Sequence, residues 1–545
     1  MIIRRSRRTL SAVAAAVLLA ACGSTGDSTG AAPAAPTSAP ASAGPATVAP
    51  APTPTATPAP TPTARPTGQA DPALQAFYGQ KLAWEACKDD PKTEKVDESA
   101  VQCATLKVPL NYAAPTGDTV DVGVARIPTA RPDQKTGSLL VNPGGPGGTG
   151  VGMVQRGQKD YDGPLRDHYD IVGFDPRGVG GTSPIKCLDD RTRDGWLTGD
   201  APGADHGKLL ADACQAKYAK LLPFVGTRDT VRDMDVLRAV LGDQKLNYFG
   251  LSYGTHLGSV YAEEFPDRTG RLVLDGATDR SVSLLQHNIE QSAGFERAFG
   301  RFAADCVTKS PCPLGKDAAA APKKLADFLD GLKDKPLTTT DGRKVTATAA
   351  WNGVIDSLYE DEQGLADLRT ILTMAMNQGK ADHLMALADG ATGRDAKGGY
   401  KVSADAYAAV HCADTPMAPT EAELRALLGE LAAKAPLVTG HNPEAALFDP
   451  DCRSWPFRSA EKAHPIKAEG SAPILVVGST GDAATPYAWS ERVAGSLAQG
   501  VLLTREGEGH TAYGRSACIR TAVHAYLVDG TVPAAGTRCA TDPRP

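Results

Sequence analysis

A serine set between two glycines, where an apolar strand turns into a helix, constrains this chain more than any other feature. Leu246-Asn247-Tyr248-Phe249 reads as a short buried strand, and Thr255 through Glu264 reads as a helix. Between them stands Gly250-Leu251-Ser252-Tyr253-Gly254. So sharp a turn strains the backbone and pushes the serine hydroxyl out of the sheet, where it can act as a nucleophile. The glycines are needed because a Cβ there would collide with the neighbouring strand and helix. With 56 glycines in the chain, the pentapeptide by itself is weak; the strand before it and the helix after it give it weight. The competing reading is an idle serine in a glycine-rich turn.

Partners for Ser252 follow in the order expected for a strand-borne serine nucleophile, an acid and then a histidine. Pro473 through Gly478 is a continuous apolar run, as expected of a buried parallel strand, and Asp482 lies on the loop after it. Val501-Leu502-Leu503-Thr504 reads as the next strand and leads through Glu506-Gly507-Glu508-Gly509 to His510. Ser252, His510 and Asp482 are then nucleophile, general base and orienting carboxylate. A serine hydroxyl is too weak an acid to attack unaided, so the imidazole takes its proton. His256, one helical turn past Ser252, points along the helix and reads as a packing residue.

The third piece is Leu139 through Asn142 running into Pro143-Gly144-Gly145-Pro146-Gly147-Gly148. Oxyanion stabilisation needs backbone N–H groups aimed at the developing charge with no side chain in the way. One donor is expected from Tyr253, the other from the Gly144-Gly145 turn. Asp175 and Arg177, on the exit loop of the strand Tyr169–Phe174, are expected to brace that loop. Gly145 through Gly150 also fits Gly-x-Gly-x-x-Gly literally, with Asp175 after the next strand, so a dinucleotide site competes for the same loop. That reading leaves Ser252, Asp482 and His510 unexplained. A Walker-type phosphate loop is excluded because no Gly-Lys-Ser/Thr occurs.

These residues together resemble the secreted tripeptidyl and prolyl aminopeptidase family of α/β-hydrolases. Gly144-Gly145-Pro146-Gly147 is similar to the family's oxyanion loop, and Phe174-Asp175-Pro176-Arg177-Gly178 to its Asp-x-Arg-Gly loop. Asp482-Ala483-Ala484-Thr485-Pro486 resembles its acid-bearing loop. The segment from His510 to Cys539 resembles the C-terminal segment of the tripeptidyl branch. Prolyl members usually carry His before Gly-Gly-Pro-Gly; here Asn142-Pro143 stands there, which favours the tripeptidyl branch. The resemblance implies an α/β-hydrolase fold, a mostly parallel sheet with flanking helices, and no cofactor. It leaves the cleaved bond open, since relatives in this branch are also described as carboxylesterases.

Residues 1–21 read as a leader: Arg4, Arg5, Arg7 and Arg8 precede an apolar stretch too short to span a membrane as a mature helix. Leu19-Ala20-Ala21-Cys22 resembles a lipobox, implying cleavage before Cys22, lipidation of its thiol and export from a bacterial cell; the competing reading is an ordinary cleaved signal with an incidental cysteine and a secreted protein. Residues 22–70 are mostly Ala, Pro, Thr and Ser, which cannot bury a core and favour extended conformations, so they read as a tether. The formal charge is −6, and losing the four leader arginines takes it to −10. No basic stripe appears, which argues against nucleic acid. Of 11 cysteines, ten remain if Cys22 is lipidated, an even number suited to an oxidising compartment. The expected pairing joins sequential neighbours, although ten cysteines permit many others. No Cys-x-x-Cys and no clustered His support a metal.

The remaining chain divides into a first core part at 71–280, a mainly helical cap insertion at 281–465, and a second core part at 466–545. Helices are expected over Ala319–Leu332, Ala349–Tyr359, Leu365–Asn377, Ala381–Ala388 and Thr420–Ala433. A cap can restrict entry to chain ends, and an aminopeptidase needs carboxylates there for the substrate ammonium. Glu360, Asp361, Glu362 and Asp414 are the candidates, against the reading that each is a solvated or helix-capping acid. The expected activity is that of an extracytoplasmic serine exopeptidase releasing short peptides from free N-termini. Its rivals are a carboxylesterase or lipase with the same triad, and a non-catalytic surface-binding protein.

Overall fold

The computed structural model describes residues 68–87, 101–157, 161, 163–198, 205–400, 404–416, 421–441, 452, 454–459 and 461–542. The leader, Cys22 and nearly all of the tether lie outside them. Ten strands form one sheet in the order β1-β2-β3-β5-β4-β6-β7-β10-β11-β12. They are β1 (Glu85–Ala86), β2 (Gln102–Pro109), β3 (Thr119–Ile127), β4 (Gly137–Asn142), β5 (Tyr169–Phe174), β6 (Leu246–Leu251), β7 (Thr269–Asp275), β10 (Ile474–Gly481), β11 (Gly500–Glu508) and β12 (Arg538–Ala540). A separate hairpin joins β8 (Leu337–Thr338) and β9 (Lys344–Val345). From β5 to β12 every pairing is parallel; β1, β2 and β3 extend one side antiparallel.

The central strands are buried on both faces, which is why their sequences are continuous apolar runs rather than alternating ones. Leu140, Val172, Tyr248, Leu274 and Val476 pack on one face, and Leu139, Ile171, Phe249, Val273 and Val477 on the other. Between β7 and β10 the chain is mainly helical, over Leu284–Cys306, Ala321–Asp334, Ala347–Ser357, Glu362–Gln378, Asp382–Thr392, Ala404–Asp414 and Glu421–Lys434. Most of these helices share a third hydrophobic cluster, which includes Phe299, Leu325, Val354, Leu372 and Leu431, whereas Ala404–Asp414 packs into the first. Leu284–Cys306, at 23 residues, is absent from the sequence expectation. Gly294 and Gly300 interrupt its apolar repeat, but both fit inside a long amphipathic helix. Disulfides join Cys87–Cys103, Cys187–Cys214, Cys306–Cys312, Cys412–Cys452 and Cys518–Cys539, the sequential pairing. Among the described residues no helix is long and apolar enough to cross a membrane.

Arg177 corrects one expectation. Its guanidinium turns away from the glycine loop and pairs with Asp233 (Nε to Oδ2, 2.7 Å), while also donating to the carbonyls of Pro109, Leu110 and Phe224. Both side chains are fully buried, at 0% and 3% exposure. Replacing Arg177 by Met should therefore cost about 3–5 kcal/mol, because a buried carboxylate is left unpaired. Denaturant unfolding of the variant measures this; an unchanged midpoint would show that Asp233 readily takes up a proton instead.

Candidate active site

Adjacent parallel strands deliver the candidate residues to one edge. Asn142 ends β4, Leu251 ends β6 opposite Asp275 of β7, and Val477 of β10 lies opposite the same Asp275. Loops leaving the carboxyl ends of such strands are where open α/β sheets place their sites. Ser252 sits directly past β6 with φ 55° and ψ −125°, a conformation costly for a non-glycine residue. Its N–H donates to Asp275 O at 2.9 Å, and its carbonyl accepts from Thr255 N (2.8 Å) and Thr255 Oγ1 (2.5 Å). A Cβ on Gly250 would lie 2.4 Å from Gly254 O, and one on Gly254 2.8 Å from Asn142 O. The flanking glycines are thus imposed by backbone contact.

Asp482 begins the loop after β10, and His510 follows β11. His510 Nδ1 lies 3.0 and 2.9 Å from the two carboxylate oxygens of Asp482. Asp482 also accepts from Ala484 N (2.9 Å), Thr485 N (2.8 Å), Thr485 Oγ1 (2.9 Å) and Thr511 N (3.2 Å). Burial pushes this carboxyl up, but the facing imidazole and these donors outweigh it and hold Asp482 below the usual carboxylate range. Thr485, which sequence reading missed as a partner, also lies 3.3 Å from His510 Nδ1. Its signal was an Asp followed three residues on by a Thr, the pattern of a self-bonding turn.

Asp275 is a second buried carboxylate, directly beneath the site. It accepts from Ala512 N (2.9 Å) and Tyr513 N (2.9 Å), fixing the chain just past His510, and burial raises it to about 6. The helical segment supplies another support: His510 N donates to Tyr359 O at 2.8 Å, and the Tyr359 ring meets the imidazole edge-on at 5.4 Å.

Several expected site residues have other partners. The Gly144 N–H donates to Asn142 Oδ1 at 2.9 Å, so it is engaged within the loop and is not a free oxyanion donor. Gly144 is needed sterically, since at φ +86° a Cβ would lie 2.4 Å from Leu251 O and 2.8 Å from Tyr253 N. Gly145, at φ +112°, and Tyr253, at the first position of the helix Tyr253–Glu264, are left as the candidates for the N–H pair. Asp175 does brace the segment after the glycines, accepting from Val151 N at 3.1 Å.

Two of the three acids at Glu360 to Glu362 are already engaged. Asp361 pairs with Arg515 at 2.9 Å and caps the helix Glu362–Gln378 through Gln363 N. Glu360 meets the same Arg515 at 3.4 Å, and Glu362 is exposed. Arg515 also donates to His510 O at 3.3 Å, so this group buttresses the histidine loop. Asp414 accepts from Thr227 N (2.7 Å) and Thr227 Oγ1 (2.6 Å), capping the helix Thr227–Val240 from outside. It nonetheless lines a cavity of about 460 Å³ beside the helix Tyr253–Glu264, and burial raises its carboxyl. His256, expected to be a packing residue, lines the same cavity, and burial pushes its imidazole well down.

A strained serine at one strand end, an imidazole held by a carboxylate at nearby strand ends, and an adjoining glycine loop are the parts of acyl transfer. Residues 137–366 match the alpha/beta hydrolase fold family, and residues 439–539 match the TAP-like protein family. Serine protease Hip1 of Mycobacterium tuberculosis is 35% identical over 498 residues, 86% of this chain and 92% of its own. Carboxylesterase B of the same organism is 35% identical over 478 residues, covering 84% and 90%. Tripeptidyl aminopeptidase of Streptomyces lividans is 30% identical over 493 residues, covering 85% and 88%. On this fold and these likenesses, the chain is a serine hydrolase that belongs to the α/β-hydrolase family, in the branch carrying the TAP-like C-terminal segment.

Proposed function

We propose that the protein is an exported serine exopeptidase that releases short peptides, with tripeptides as the expected products, from free N-termini. In this reading His510 takes the proton of Ser252 Oγ as the oxygen attacks the scissile carbonyl. Asp482 holds the imidazole in the required tautomer and stabilises the imidazolium. The N–H groups of Tyr253 and Gly145 receive the oxyanion of the tetrahedral intermediate. The C–N bond then breaks, and the leaving amine carries away the proton held by His510. Water, deprotonated by the same imidazole, hydrolyses the acyl-enzyme and regenerates the serine.

The observation that carries this reading is the His510–Asp482 pair, with Asp482 accepting at both oxygens, at the same sheet edge as the strained Ser252. The names serine protease and tripeptidyl aminopeptidase among the relatives support a peptide substrate. A carboxylesterase is the second reading, favoured by the relative called Carboxylesterase B at the same 35% identity. The helices from 281 to 465 are proposed to cap the site. Cys22 is proposed to carry a lipid that holds the enzyme to the outer face of the cell membrane, with 22–70 as its tether.

A free substrate N-terminus should be required. An acetylated peptide brings no charge to the carboxylates lining the cavity, of which Asp414 is the remaining candidate receiver. A tripeptide amide should therefore be cleaved roughly 100-fold faster, as kcat/KM, than its acetylated twin. Equal rates would remove the exopeptidase reading. Hydrolysis of esters alone, with neither peptide cleaved, would establish the carboxylesterase.

A further inference from the structure

Beyond β7 the chain passes His510 and, at Arg280, joins the lining of the cavity beside the nucleophile helix. A Cβ on Gly276 would lie 3.2 Å from Cε1 of His510. Thr278 N donates to Thr255 Oγ1 at 2.9 Å, and that hydroxyl donates to Ser252 O. Two residues on, at most about 7 Å of chain, stands Arg280. It lines the 460 Å³ cavity together with His256 and Glu263 of the nucleophile helix and with Asp414. That volume is in the range of small-ligand sites.

Of the cavity's other basic side chains, Lys462 is exposed, and Arg228, His464 and Arg458 have acceptors. Arg228 pairs with Glu461 at 2.5 Å and with Glu263 and Glu264 at 3.4 and 3.3 Å. His464 bonds Glu263 at 2.8 Å, and Arg458 donates to Cys452 O. Arg280 makes no ion pair among the described residues, and its Nε is buried without an acceptor. Asp414 is within its electrostatic reach but is held by Thr227 and, at 3.4 Å, by Tyr253 Oη. His256, His287 and His411 lie within its field as well; burial first, and Arg280 second, drive all three towards the neutral imidazole. The result is a half-buried guanidinium beside a carboxylate that others hold, with no ion pair of its own among the described residues.

We propose that Arg280 is an anion site within the substrate cavity and that it takes a carboxylate of the bound peptide, from an acidic side chain or from the chain end. This deepens the peptidase reading and rests on it. A guanidinium presents a planar fork that matches a carboxylate in two parallel hydrogen bonds, so an unpaired one in a cavity selects that group over its neutral isostere. The site would make the enzyme prefer acidic or very short peptides, a choice that the Ser252, His510 and Asp482 arrangement does not itself make.

Binding tests this without turnover. In the mature Ser252→Ala protein, isothermal titration compares Glu-Ala-Ala, Ala-Glu-Ala and Ala-Ala-Glu amides with their Gln twins, and Ala-Ala-Ala acid with its amide. At least one carboxylate-bearing member should bind about tenfold or more tightly than its neutral twin. Adding Arg280→Gln should abolish that ratio, whereas Arg280→Lys should retain part of it. A ratio in the Glu/Gln pairs assigns the side chain, and one in the acid/amide pair assigns the chain end. No carboxylate preference in any pair, or a preference unchanged by Arg280→Gln, overturns the proposal. Cleavage of the neutral peptides by the unmodified protein is scored separately, so loss of the peptidase reading is distinguishable from loss of the anion site.

Discussion

Ser252→Ala is expected to lower turnover about 10⁶-fold and to abolish labelling by a fluorophosphonate probe. The effect should be confined to chemistry. The bonds that hold the turn involve the main chain of Ser252, from its N–H to Asp275 O and from Thr255 to its carbonyl, and alanine keeps them all. Alanine also keeps the Cβ, so the strained backbone is no worse accommodated. Melting temperature should consequently stay within a few degrees while activity disappears. Other serines near the site are committed elsewhere: Ser259 Oγ donates to Thr255 O, and Ser479 Oγ donates to Thr511 O. Persistent labelling of the alanine variant, mapped to another serine by peptide analysis, would refute the assignment.

What could be read from the sequence shares a physical character. The turn at Ser252 is legible because its constraints are local: Gly250 and Gly254 face backbone atoms within a few residues or on the adjoining strand. The parallel strands are legible because burial on both faces writes itself as unbroken apolar runs. Asp482 and His510 follow from those strands, since each lies on the loop that leaves one. The acidic group at Glu360 to Glu362 is not legible in the same way. Its meaning depends on Arg515, more than 150 residues along the chain, and no spacing rule connects the two. Gly144 illustrates a finer limit. Its glycine identity signals a close backbone approach, but only the structure shows that its N–H is taken by Asn142 and that its service is steric. Arg280 carries no motif at all; it becomes notable once the cavity's other arginines and His464 are seen to be matched while its own buried Nε is not.

Asp482→Asn should leave the fold intact and cut turnover by about 10⁴-fold. The amide can still accept at its oxygen, but its NH₂ opposes the donors that Asp482 now satisfies, and it favours the wrong imidazole tautomer. The three rival carboxylates of these loops are already engaged. Glu506 pairs with Arg538 at 2.7 Å and Glu508 with Arg301 at 2.5 Å, while Asp275 is occupied by the N–H groups of Ala512 and Tyr513. A near-normal rate in the variant would move the orienting role to one of these three. The same substitution has a pH signature in stability. Because the Asp482 carboxyl is held low in the folded state, its stabilisation is fully present above the unfolded value of about 3.9. It is lost as pH falls further, through the lower folded value. Asparagine binds no proton there, so the variant's unfolding midpoint should depend less steeply on pH below about 4. Asp275 works in the opposite sense. Raised to about 6 in the folded protein, it binds its proton more tightly when folded and erodes stability as pH rises from about 4 to 6. Denaturant midpoints of both proteins measured from about pH 3 to 7 separate the two groups, because Asp482→Asn should alter the acid limb and leave the slope between 4 and 6 in place.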